Sequence, residues 1–261
     1  MSDIAGSTGR VSLVALAGVP AVRAGDSLDR IVLDALDASG ETLRAGDVLV
    51  LAQKIVSKAE GRLVALGSVT ASARAVELGA ACDKDPRLVE LILSESNEVL
   101  RVQPGVIIVA HRLGFVMANA GIDRSNVRGE AGEECVLLLP VDPDGTAARL
   151  RATLRAATGV AVGVVINDSV GRAWRSGTIG TALGVAGLPA LADLRGQPDM
   201  FGRALETSEI GFADEIASAA SLLMGQADQA RPVVLVRGLR FGDRAGTGAE
   251  LVRPAAMDLF R

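Results

Sequence analysis

Tyrosine is absent from this 261-residue chain, and one tryptophan with five phenylalanines leaves few flat surfaces on which bases could stack. The formal net charge is −4, so nothing in the composition draws a polyanion, and nucleic acid is not an expected partner. Cysteine is almost as scarce. Cys82 and Cys135 form no Cys-x-x-Cys pair and lie far in sequence from His111, the only histidine. A disulfide framework and a structural zinc site are therefore set aside, and both cysteines read as reduced and structural. No apolar run approaches the roughly 18 residues of a membrane span. The opening Met-Ser-Asp-Ile-Ala-Gly-Ser-Thr-Gly-Arg also lacks the charged-then-apolar layout of a signal peptide. A cytoplasmic protein without a membrane partner is expected.

Hydrophobic residues make up 49% and charged residues 22% of the chain, the proportions of a folded globular protein. The length fits one large domain or two modest ones. Of the 27 basic residues only Lys54, Lys58 and Lys84 are lysine, and two of these share one short segment. In a chain that otherwise uses arginine, such a pair suits a place needing a compact, flexible point charge, as phosphate binding does. A solvated strand end explains it equally well.

The hydrophobic pattern predicts a strand over Val11–Leu16, a turn at Gly18-Val19-Pro20, and a helix over Ser27–Leu36 with Ser27 as N-cap. A buried strand is expected over Asp47–Ala52, followed by Gln53–Glu60 with the lysine pair. Residues 71–100 read as helices, with Pro86 opening Arg87–Leu93. Gly105–His111 and Phe115–Ala118 read as a hairpin delivering Asn119–Asp123, and Cys135–Leu139 as a short strand. Helices are expected over Thr146–Thr158 and Phe212–Met224, and apolar strands over Val160–Ile166 and Pro232–Val236. Thr178–Gly187 is a small-residue segment suited to close backbone approach. Strands and helices mix without strict alternation, which favours an α+β fold with mixed sheets over a doubly wound one.

No Walker A sequence, dinucleotide fingerprint or nucleophile elbow occurs. What remains are aspartates after apolar strands. Asp123 and Asp168 sit beside small residues and the oxygen-bearing Asn126 and Ser169, a set suited to a hard cation, or to capping turns. Arg172 and Arg175 could face a phosphate or carboxylate, or form surface ion pairs. Asp142 and Asp144 read as a turn and helix start, His111 as a structural histidine, and Trp174 as packing or a site wall. Glu90, Glu95 and Glu98 read as a solvated face.

Several segments together resemble one known family. They are Gly18-Val19-Pro20, Ile55–Gly61, Ala118–Val127, Leu138–Gly145, Asn167–Arg172, Ala213–Ala217, Leu222–Gly225 and Val236–Leu239. In order and spacing they are similar to the coenzyme F420-0:L-glutamate ligases, over roughly residues 11–242. The resemblance implies a single ligase module over 11–242 made of two intertwined subdomains divided near 145–160, with terminal segments 1–10 and 243–261. It implies a homodimer that uses GTP, two divalent cations (Mg²⁺ or Mn²⁺) and a monovalent one (K⁺) to join L-glutamate to F420-0. By position it makes Asp123, Asp168, Ser169 and Gln226 metal ligands, with Asp123, Asp168 and Lys58 in catalysis. It assigns nucleotide contacts to Val19, Pro20, Ala21, Val22, Gln53, Lys54, Lys58 and Asn126. Met224, Gly225, Gln226, Ala227, Asp228, Gln229, Ala230 and Arg231 complete that set. Arg172 and Arg175 are left as candidate substrate contacts.

Overall fold

A computed structural model describes residues 9–258 except 128, 130, 131 and 243. The first half of the chain contributes β1 (Ser12–Ala15), α1 (Leu28–Ala38), β2 (Val48–Ala52), α2 (Gln53–Ala59) and β3 (Leu63–Ala65). It continues with α3 (Ala73–Cys82), α4 (Pro86–Ser94), β4 (Ser96–Gln103), β5 (Val106–His111), β6 (Val116–Ala118) and β7 (Cys135–Leu137). Then come α5 (Pro143–Thr158), β8 (Gly163–Arg172), β9 (Arg175–Ala186), β10 (Ala192–Asp193), β11 (Glu209–Ile210), α6 (Phe212–Met224) and β12 (Val233–Arg237). The fold is α+β with mixed sheets.

The main sheet has the order β1-β12-β2-β8-β9, and its β2/β8 ladder is parallel while the other three are antiparallel. Its apolar runs are buried on both sides because successive side chains point to opposite faces. Leu49, Leu51, Val164, Ile166, Val233 and Leu235 pack beneath α1 and α5. Val48, Val50, Val165, Val234 and Val236 pack beneath α6. Helix α6 keeps Ala213, Ile216, Ala217, Ala220 and Met224 on one stripe at helical spacing, and Gly225 ends it. Small residues let it lie close: its Ser218 hydroxyl donates to the Gly180 carbonyl at 2.7 Å.

A second core gathers Leu78, Cys82, Val89 and Ile92 of α3 and α4 with Ile107, Val109, Val136 and Leu138. The chain passes into it after α2 and leaves it after Leu138, while α5 is one continuous helix on the main sheet. Met117, Leu139 and Leu183 pack together between the two cores.

Three expectations change here. Residues 96–103 are a strand, β4, paired antiparallel with β5, because that pairing and the half-burial of Val99 and Val102 against the second core outweigh the helix propensity of Glu98, Leu100 and Arg101. The segment with the lysine pair is a helix, α2, not a strand end. Asp168 lies inside β8 rather than at its end, since the ladder to β9 runs on to the Arg172↔Arg175 pair after the apolar stretch stops.

Glu95, expected on a solvated face, is buried. Its carboxylate lies 2.7 Å from Arg62 Nη2, 3.0 Å from Arg112 Nε and 3.6 Å from His111 Nε2. Arg62 Nε also donates to the Leu139 carbonyl, and Arg112 to those of Pro140 and Val141, so the cluster fastens the second core to the segment entering α5. Asp142 caps α5 by accepting from Gly145 N. Asp144 accepts from Val185 N, Gly248 N and Ala249 N. The turn expected ahead of a helix at Thr146 is instead the first turn of α5, which starts at Pro143 because Asp142 caps it and Pro143 suits its first position, whereas the structural reading of His111, fully buried in β5, holds.

Two outcomes follow for stability. A Cβ at Gly180 would collide with the Ala217 carbonyl and the Ser221 hydroxyl, whereas one at Gly171 meets nothing within 4 Å. Gly180→Ala should cost about 1–3 kcal/mol by overpacking and lower the thermal midpoint by several degrees, while Gly171→Ala leaves it within about a degree. Burial opposes ionisation of Glu95, yet His111, Arg62 and Arg112 together hold its carboxyl down at about 2. A carboxyl lowered in the fold adds stability above its unfolded value of about 4.5 and loses it as pH falls towards 2. The stability difference between wild type and Glu95→Gln, about 3 kcal/mol in urea unfolding at neutral pH, should therefore shrink below pH 4.5 and vanish near 2.

Candidate functional site

Because β2 and β8 are parallel and their ladder ends at Ala52 opposite Asn167, the end of β2 and the middle of β8 come to one place. There α2 begins, β8 carries Asp168 and Ser169, and the loops after β1 and α6 close over them around a cleft of about 590 Å³. The second core contributes Asp123, held by a two-way backbone bridge to Leu137, and then Ser125 and Asn126.

The aspartates meet a small cationic cluster. Lys54 Nζ lies 3.1 Å from Asp123 Oδ2 and donates to Ser125 Oγ at 2.7 Å. Lys58, one helical turn on, donates to the Asn126 carbonyl at 3.1 Å. Ser57 donates to Gln53 Oε1, which orients the Gln53 amide so that its nitrogen reaches Asp123 Oδ2 at 3.4 Å. Ser125 donates to the other oxygen of Asp123. Across the cleft Ser169 Oγ donates to Gln226 Oε1 at 2.6 Å, and Asn126 Nδ2 to the Ala227 carbonyl at 2.9 Å. Asn126 and Ala230 both hold left-handed backbone, with φ of 56° and 51°.

Electrostatics at the cleft are balanced: Lys54, Lys58 and Arg231 face Asp123, Asp168 and Asp228. Burial pushes the Asp168 carboxyl up to about 7; the Ser169 backbone N–H opposes this, and the charge of Asp123 adds to it. Burial likewise lowers Lys58 from its ordinary value, helped by Lys54 and opposed by Asp123. A polyanionic ligand would thus find no net positive charge from the protein alone.

Among the described residues no group of three or more His, Cys, Asp or Glu converges to hold a metal. A cation here would instead draw on mixed oxygen donors: Asp123 and Asp168, the Ser169 hydroxyl, the Gln226 amide oxygen and oxygens of a ligand. Asn167 adds to this fit. It lines the cleft 4% exposed, its nitrogen donates to Ser221 Oγ at 2.9 Å and contacts Met224 Sδ, and its Oδ1 has no partner. A buried amide oxygen left unpaired is costly, and a hard cation or a ligand N–H would satisfy it.

Of the residues singled out in the sequence, Val19, Pro20, Ala21, Val22, Gln53, Lys54, Lys58, Asp123, Asn126, Asp168 and Ser169 line this one cleft. Met224, Gly225, Gln226, Ala227, Asp228, Ala230 and Arg231 line it too. Gln229 does not; its Oε1 accepts from Ala227 N and shapes the loop. Arg172 and Arg175 lie past its rim on the β8–β9 hairpin, where Arg172 donates to the Gly177 carbonyl. Sequence reasoning passed over Ser57, Ser125, Asn167 and Ser221, small polar residues whose roles come only from what they face. Trp174 is not packing: it is 86% exposed.

A family model described as F420-0:gamma-glutamyl ligase matches residues 18–238. A protein of Methanothermobacter thermautotrophicus named coenzyme F420:L-glutamate ligase is 45% identical over 253 residues, covering 96% of this chain and 99% of its own length. Proteins of the same name from Methanopyrus kandleri and Archaeoglobus fulgidus are 44% and 40% identical, covering 92% and 97% of this chain and 93% and 97% of their own lengths. Matched from end to end by such relatives, and across both cores by the family model, the chain belongs to the F420-0:gamma-glutamyl ligase family.

Proposed function

We propose that this protein joins L-glutamate to coenzyme F420-0 through an amide bond, and to the first glutamate in further rounds, with GTP as phosphoryl donor and divalent cations in the cleft. The observation that carries this reading is the convergence of Asp123 and Asp168, from two different cores, beside Lys54 and Lys58 in one cleft. The family model's description supports F420-0 as acceptor, and the relatives' names support L-glutamate as the group joined.

A carboxylate does not form an amide with an amine unaided, because its oxide is a poor leaving group. In the proposed route a carboxylate oxygen of F420-0 takes the γ-phosphoryl of GTP as the β–γ anhydride bond breaks, giving an acyl phosphate and GDP. The glutamate nitrogen then bonds to the acyl carbon, the C–O bond to phosphate breaks, and the amine proton is released. Bound cations, Mg²⁺ or Mn²⁺ with K⁺ alongside, supply charge neutralisation and alignment of the phosphoryl oxygens.

The protein's own groups have separate tasks. Asp123, Asp168, Ser169 and Gln226 hold the cations. Lys54, paired with Asp123 here, would face phosphate were Asp123 to hold a cation, with the half-buried Lys58 one helical turn away. The loops at 19–22 and 224–231, together with Asn126, enclose the nucleotide. Incubation with F420-0, L-glutamate, GTP and Mn²⁺ should yield a product heavier by one or more glutamyl units with release of GDP. Turnover with a different carboxylate but not F420-0, or F420-0 binding without turnover, would overturn the reading.

Asp168→Asn should abolish ligation while the apo protein keeps its fold. A carboxyl raised in the fold contributes stability below its unfolded value of about 3.8 and loses it as pH rises through about 7. Relative to wild type without metal, Asp168→Asn should thus be more stable above pH 7, with the gain fading towards pH 4; thermal unfolding across that range checks the sign. The reading also takes the protein as a homodimer, which would cover exposed apolar residues such as Leu222 and Phe201. Light scattering should give about twice the chain mass of 26.7 kDa at micromolar concentration, and a fully active sample at the single-chain mass would refute it.

A further inference from the structure

Gln53 opens α2 where the ladder between β2 and β8 ends, and there a long amide side chain lines the cleft while only 1% exposed. Burying an amide is costly unless both of its ends are bonded. Here both are. Ser57, fully buried one helical turn on, donates its hydroxyl to Gln53 Oε1 at 2.8 Å. At the other end Nε2 reaches Asp123 Oδ2 at 3.4 Å, and the same side chain hydrogen-bonds the carboxyl of Asp168.

The partners decide which way the amide is turned. An ionised carboxylate accepts and cannot donate, so the nitrogen must be the end that faces the aspartates. The oxygen then falls to Ser57, whose hydroxyl has to be the donor. One buried hydroxyl thus fixes the orientation of a group that touches the aspartates of the cleft.

Those carboxyls need such a tie. Asp123 is bridged to Leu137 of the second core and Asp168 lies in β8 of the main sheet, so their side chains meet only across the seam, where their like charges repel. Lys54, 3.1 Å from Asp123 Oδ2, offsets that charge, but it is itself a cation and competes with any metal ion for the same oxygen. A neutral amide does not compete. Its two N–H groups serve one carboxyl each and leave the remaining lone pairs for a metal, the usual task of an outer partner of metal ligands. With both hydrogens and the oxygen committed, Gln53 has nothing left to offer a nucleotide.

Resting on the function proposed above, we infer that Gln53 and Ser57 are positioning residues of the metal site: the Gln53 amide ties the carboxyls of Asp123 and Asp168 together behind the cation, and Ser57 acts through it by fixing the amide. This departs from the nucleotide contact that the family resemblance assigns to Gln53. The affinity for the cation, not for the nucleotide, depends on the pair.

Mn²⁺ binding to the full-length protein, followed by loss of the free-ion EPR signal with and without GDP, tests this apart from turnover. Gln53→Met, which keeps the length of the side chain but has no donor, should weaken Mn²⁺ binding about tenfold or more, as loss of an outer partner of a metal ligand does. Ser57→Ala should weaken it by a smaller factor and add nothing further in the Gln53→Met background, because it acts only through the amide. GDP binding measured in EDTA should be unchanged in all three proteins. Unaltered Mn²⁺ affinity in a folded Gln53→Met protein overturns the inference, and so does a fall in GDP binding in EDTA with Mn²⁺ affinity kept, the result a nucleotide contact gives. Additive losses in the double variant would make Ser57 a packing residue and overturn the coupling. Should Gln53→Met fail to fold, Ser57→Ala, which deletes a single oxygen, carries the same comparison. Wild-type protein that takes up no Mn²⁺ in either condition refutes the cation reading of the function itself, an outcome distinct from each of these.

Discussion

The parallel ladder between β2 and β8 is the constraint on which the site depends. The other ladders of the main sheet are antiparallel, so neighbouring strands there end on opposite edges. Only where two strands run the same way do they leave their shared ladder towards one edge, so that the residues at and beyond its last pair, Ala52 opposite Asn167, become neighbours. That is why the start of α2, with Gln53 and Lys54, stands beside Asn167, Asp168 and Ser169, although more than a hundred residues separate them. The intervening chain has room to build a second core and return, and it brings Asp123 back to the same edge.

The two cores are joined there by charge as well as by packing. Asp123 belongs to the second core through its bridge to Leu137, and Lys54 to the main sheet through α2, so their ion pair crosses the seam. Outside the cleft, Glu95 gathers Arg62 and Arg112 in a buried cluster fastened to the segment that enters α5. The contrast separates the two kinds of polar group. In the Glu95 cluster several donors converge on one carboxylate and hold it ionised. In the cleft Asp168 is pushed towards its neutral form, and Lys58 is pulled towards its own, so both groups are better satisfied once opposite charge enters.

Much of this was legible from residues alone where local pattern and tertiary role agree. Helix α6 begins and ends where its 3.6-residue stripe and Gly225 place it, because burial of that stripe decides its extent. The hairpin of β5 and β6 was legible for the same reason. Strand β4 was not, since Glu98, Leu100 and Arg101 favour a helix locally and only the partner strand β5 decides against it. Asp168 was found by its type and neighbours, but its place inside a strand was hidden, because the hydrophobic signal stops at Ile166 while the hydrogen-bonded ladder does not. The long-range family likeness gathered cleft residues that no local rule could connect, such as Gln226 with Ser169. Asn167 and Ser57 stayed invisible, because an amide or hydroxyl says nothing of its role until its surroundings are known.

The features that make the cleft reactive all weaken the apo fold. An amide oxygen with no donor and two non-glycine residues in left-handed backbone are each the kind of local departure that costs of order 1–3 kcal/mol, and a half-buried carboxyl facing another adds to them. They sit together at one edge of the sheet, and the offsetting contacts lie away from it. Asp144 collects three backbone donors from β9 and the C-terminal segment, and Arg237 binds Asp47 and Glu41 at the opposite end of β12 and β2. A site assembled from strained parts needs such anchors outside its own reach, since anything that relaxed the cleft directly would also fill the charges and lone pairs that a ligand is meant to meet. β2, which ends in the cleft, and β12, which begins beside it, are thus clamped at their other ends, away from the loops that must admit substrate.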